Sequence, residues 1–167
     1  MKNVKQIDRR VIPDNSYATS PILVERDNII GPLDGFSPQV GTLLSMMTWM
    51  RGVIQNPVKG MTIEQLDYVH DQDSNSIGAM LFHLAATERY YQIHTFEGKK
   101  WGDWSDPDKK RFDIAMNLGD EGRKTIKGNN LDYYLNILKE VRENTIKESL
   151  LNDKKPKINK VLLFLLG

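Results

Sequence analysis

Apolar residues recur at helical spacing in three long stretches of this chain. The middle stretch is DSNSIGAMLFHLAATERYYQIHTF, Asp73 to Phe96. Ile77, Met80, Leu81, Leu84 and Tyr91 line one side of it, and Ala79, Phe82, Ala86, Tyr90 and Ile93 line another. A helix that is apolar on two sides lies at the centre of a bundle or at a subunit contact. Ser74, Asn75 and Ser76 offer N-cap oxygens, and Asp71 and Asp73 place negative charge at the positive end of the helix. The pattern predicts a helix that starts within two residues of Asn75 and runs to about Phe96.

The other stretches carry equally readable boundaries. Ser37 and Pro38 suit a helix start, and Val40, Leu43, Leu44, Met47, Met50 and Ile54 follow at helical spacing until Pro57 and Gly60 stop them. Thr62 with Gln65 fits a capping box that opens a short helix through Leu66. Asp106 and Pro107 begin another short helix carrying Phe112, Ile114, Ala115 and Met116. Gly119, Gly122 and Gly128 read as punctuation. Asn130 then caps the third long helix, Leu131 to about Leu151, with Leu131, Tyr134, Leu135, Leu138, Val141 and, less cleanly, Ile146 on its apolar stripe. Residues 1–36, broken by Pro13, Pro21, Gly31, Pro32 and Gly35, read as an extended N-terminal arm. Residues 152–167 form an atypical C-terminal tail, basic and then almost wholly apolar, which needs cover from its own domain or a neighbour. The expected fold class is all-α, a single helical domain with its bundle in residues 37–151.

Composition narrows the function classes. With 167 residues the chain suits one domain and buries enough surface to fold without a metal or disulfide. The formal net charge of +1 gives no basic excess, so neither nucleic acid nor a membrane surface is expected as a partner. The absence of cysteine excludes disulfides, thiolate ligands and a cysteine nucleophile. No stretch has signal-peptide or membrane-spanning character, so a cytoplasmic setting is the default expectation.

Few residues carry candidate chemistry. His83, in the middle helix, is either a hydrogen-bonded core residue or a ligand for a divalent metal. His94 is eleven residues further on, about 16 Å along a helix, so one ion cannot bridge the two. His70 belongs to the loop before the helix. Glu88 falls within the Ile77–Leu84–Tyr91 stripe, where a buried carboxylate needs a partner. Arg51 and Arg142, on the flanking long helices, are the candidates. Asp71, Asp73 and Asn75 imitate the start of a calcium loop, but Ser76 and Phe82 stand where such a loop needs Gly and Glu. Nucleophile-elbow, phosphate-loop and dinucleotide motifs are absent.

The segments GPLDGFSPQVGTLLSMM, GMTIEQLDYVHDQDSNSIGAMLFHLAATE and MNLGDEGRKTIKGNNLDYYLNILKEVRENT resemble, in order and spacing, the DinB/YfiT-like superfamily of small helical proteins, in its DUF664-type branch. The resemblance covers roughly residues 31 to 150 and implies an up-down-down-up four-helix bundle, often a homodimer. It also implies a divalent metal (nickel, zinc or iron) held by three histidines, and for some members a low-molecular-weight thiol substrate in a transferase- or hydrolase-type reaction. The metal histidine of the H-L-A segment corresponds to His83. The family's two further histidines form an HxxxH on a fourth helix, and this sequence has no histidine after His94. The expectation is therefore a bundle whose fourth helix is truncated or absent, with a metal site reduced to His83 that does not hold an ion tightly. The alternative is a non-catalytic helical bundle that acts by self-association or partner binding.

Overall fold

A computed structural model describes residues 30–153 of the chain, and among these residues there are six helices and no strand. They are α1 (Pro38–Val58), α2 (Ile63–Asp67), α3 (Ile77–Thr95), α4 (Asp106–Asn117), α5 (Gly119–Thr125) and α6 (Leu131–Asp153). The all-α class and the three long helices follow the sequence pattern. Residues 1–29 of the expected arm, and 154–167 of the expected tail with its truncated fourth helix, lie outside the described residues.

Local chemistry explains most boundaries. Ser76 caps α3 by accepting from the Ala79 N–H at 3.1 Å. Thr62 and Gln65 form the reciprocal capping box of α2. Ser105 caps α4, accepting from the Asp108 N–H at 3.2 Å. Asn130 accepts from the Tyr133 N–H at 3.0 Å at the start of α6. Ser37 departs from its expected capping role. Its hydroxyl donates to Asp153 Oδ1 at 2.6 Å and its backbone N–H to Asp153 Oδ2, so the start of α1 is tied to the end of α6 instead.

The helix α5 lies where the glycines suggested only a broken segment. Leu118 and Gly119 take positive φ values of 56° and 66°, which turn the chain sharply out of α4. The new helix is then favoured by Asp120 and Glu121 in its first turn and by Arg123 and Lys124 in its last, matching the helix dipole at both ends.

Helices α3 and α6 form the spine, with α4 and α2 packed on α3 and α1 leaning on α6. Leu66, Ala85, Ala86, Tyr134 and Leu138 are completely shielded from solvent, and Leu81, Phe112, Ala115, Leu135 and Val141 join them in one core. Close approach of α6 to α3 depends on Gly78. A Cβ there would meet the Tyr134 ring at 2.7–2.9 Å, so the tyrosine occupies the space that the missing side chain leaves. A smaller cluster of Leu33, Val40 and Leu44, with Phe36 and Ile146, seats the segment before α1 on α1 and α6.

The stripe expected to be core is only partly so. Leu81 is buried and Leu84 packs on the core, but Ile77, Met80 and Tyr91 are 37%, 43% and 43% exposed. The opposite arc, with Ala79, Phe82, Ala86 and Ile93, is buried. The reason is the placement of neighbours: α4 and α6 cover that arc, while α1 packs on α6 and has no comparable contact with α3.

Candidate functional site

Glu88 is the electrostatic hub of the described chain. Its side chain is 9% exposed, and it is met by Arg51 of α1 and Arg142 of α6. Arg142 grips both carboxylate oxygens, Nε to Oε1 at 2.7 Å and Nη2 to Oε2 at 3.0 Å. Arg51 adds Nη2 to Oε2 at 2.6 Å, and the Thr145 hydroxyl donates to Oε1 at 2.6 Å. The sequence predicted both arginines as partners, and both are there.

Burial pushes the Glu88 carboxyl upward, but the two guanidinium groups and Thr145 outweigh it and hold the carboxyl below the usual glutamate range. Arg51 is lowered to about 10, first by burial and then by the Arg142 charge beside it, and it stays charged at neutral pH. Gln92 extends the network without adding charge. Its amide donates at 2.7 Å to both the Val141 carbonyl and Thr145 Oγ1, and its carbonyl accepts from Asn144 Nδ2 at 2.9 Å.

Gln92, Asn144 and Thr145 were not found from the sequence. A faint signal exists for Thr145, which continues the register of Leu138 and Val141 yet is polar. Gln92 interrupts an otherwise apolar turn of α3 in the same way.

His83 lies one turn and a half before Glu88 and faces α4 instead of α6. Its Nδ1–H donates to the Ala115 carbonyl at 2.9 Å, which fixes the proton on that nitrogen, and Nε2 lies 3.4 Å from Thr87 Oγ1. His94 sits elsewhere, at the end of α3, with Nδ1 2.8 Å from the Lys99 carbonyl and its ring stacked 3.9 Å from Trp101. His70 is in the exposed loop before α3. The structure thus brings no second histidine to His83. Among the described residues no group of three His, Asp or Glu side chains is placed to hold a metal ion, so a three-ligand site does not fit them.

A cleft of about 670 Å³ opens between α3, α4 and α6, with Arg89, Asp108, Phe112, Glu140, Asn144 and Lys147 in its wall. Arg89 binds Asp108 through two hydrogen bonds of 2.8 and 2.9 Å and Glu97 at 2.8 Å. Arg111 pairs with Glu140 at 2.6 Å on the rim. The cleft is assembled from residues remote in sequence, so no local pattern announced it.

Among the described residues no helix is long and apolar enough to cross a membrane. No protein-family model and no curated protein matches the chain.

Proposed function

We propose that this chain is a DinB-like helical module with an incomplete metal site, and that it works by self-association. The observation that carries the reading is the apolar surface on its long helices. Met46, Met50 and Val53 are 44–49% exposed along one side of α1, at spacings of four and three residues. Ile77, Met80 and Tyr91 form a second exposed line on α3. Large apolar side chains exposed in a line on a helix mark a surface that packs on something else.

The occupant proposed is a second copy of the chain. Methionine side chains adapt to whatever packs on them, so such a stripe can meet its own symmetry mate across a two-fold axis. A net charge of only +1 leaves little repulsion to prevent it. A stable contact takes roughly 800 Å² per partner, so the α1 and α3 stripes would have to meet the mate together with their polar margins.

The resemblance to the metal-dependent superfamily is kept for descent and fold; His83 is then the remnant of its metal site. It would not hold nickel, zinc or iron alone, since such sites require at least three protein ligands.

Light scattering on the purified chain at micromolar concentration tests the reading. A dimer that reverts to monomer in Met50→Lys supports it, and a wild-type monomer at all concentrations overturns it. Elemental analysis of the same sample tests the metal statement, which fails if about one ion per chain survives dialysis and is lost in His83→Ala.

A further inference from the structure

The hub around Glu88 holds two positive charges against one negative charge, and its hydrogen bonds do not close. The carboxylate already accepts four hydrogen bonds, three from the arginines and one from Thr145, which uses its full acceptor capacity. The Nη1 groups of both Arg51 and Arg142 are buried and have no hydrogen-bond partner among the described residues. Their side chains are only 11% and 14% exposed, so water does little to compensate the excess charge. The two guanidinium groups stand side by side, because both Nη2 atoms bind the same oxygen, Oε2. In Arg142 the Nε and Nη2 edge is committed to Glu88, which turns Nη1 away from it.

We infer that Arg51 and Arg142 together form a binding site for a small oxyanion, with Glu88 as the fixed strut that orients them. The ligand class is a group with two or more acceptor oxygens, a phosphate or a carboxylate, which would take the two Nη1 groups and bring the charge of the cluster from +1 to zero or below. Glu88, itself fixed by Thr145, holds both arginines in place beforehand through three hydrogen bonds, so little side-chain freedom is lost on binding. This site is independent of self-association.

The test is an NMR titration of the full-length ¹⁵N-labelled chain, following the Arg Nε–H signals. Sodium phosphate and sodium acetate are the probes, each balanced against sodium chloride at constant ionic strength. The inference predicts saturable shifts of the Arg51 and Arg142 signals with one anion per chain. Saturation by phosphate alone identifies a phosphoryl site, and saturation by acetate as well identifies a carboxylate site. Arg51→Gln and Arg142→Gln each remove one Nη1 group and should each weaken binding at least ten-fold. Circular dichroism confirms that each variant is helical. Should either fail to fold, the wild-type titration decides: no saturable shift with either anion overturns the inference. Equal affinity in wild type and both folded variants overturns it too.

Discussion

The two sides of α3 are both apolar but differ in what they do. The buried side, toward α6 and α4, mixes Gly78, Ala79, Ala85 and Ala86, which let neighbouring backbones come close, with the larger Leu81, Phe82 and Ile93. The other side carries Ile77, Met80 and Tyr91, and it is exposed. The glycine and alanines of α3 are confined to the face where helices pack inside the chain, while large apolar residues occur on both faces. Glu88 stands between the two and ties α3 to both α1 and α6.

The inner side should be costly to disturb. Arg142→Met leaves Glu88 with one cation in a nearly dry site, and a loss of about 3–5 kcal/mol in urea unfolding is expected. Acid should attack the same hub. Folding holds the Glu88 carboxyl below its unfolded value, so its stabilisation is fully present above about pH 4.3 and fades as pH falls through the lower folded value. Urea midpoints measured from pH 7 down to pH 3 should drop in wild type and drop less steeply in Glu88→Gln. A uniform drop in both would place the acid sensitivity elsewhere, for example at Asp108 or Glu140, whose carboxyls Arg89 and Arg111 also hold low.

Gly78→Ala comes next, because its methyl group meets the Tyr134 ring. A cost of about 1–3 kcal/mol by thermal or urea unfolding is expected from overpacking, partly offset by the better helix propensity of alanine. The outer side should respond least. Met80→Ala at a dilution that keeps the chain monomeric should change stability by no more than about 0.5 kcal/mol. A larger loss would mean that Met80 belongs to the folded core and that the contrast between the two sides is false.

Much of this was legible in the sequence. The periodicity, caps and prolines placed five of the six helices, and the position of Glu88 called for Arg51 and Arg142. The unread part has physical causes. A helix apolar on two sides has no hydrophobic direction, so its inner face depends on which neighbours arrive, and those neighbours are set by contacts distant in sequence. Ser37 was read as a cap because local spacing favours it, while its true partner, Asp153, lies at the far end of another helix. Helix α5 was missed because glycine weighs against a helix locally, although the charges at its two ends favour one. The cleft beside Arg89 and the two unpartnered Nη1 groups arise only once three helices are assembled.

The most direct test of the outer face uses the absence of native cysteine. Single variants Met50→Cys and Met80→Cys place one thiol each on the exposed stripes, and Lys110→Cys places one on the exposed surface of α4. After mild oxidation at micromolar concentration, non-reducing electrophoresis should show covalent dimer for at least one of the first two and only monomer for Lys110→Cys. Monomer from all three, or equal dimer from all three, would contradict association through α1 and α3.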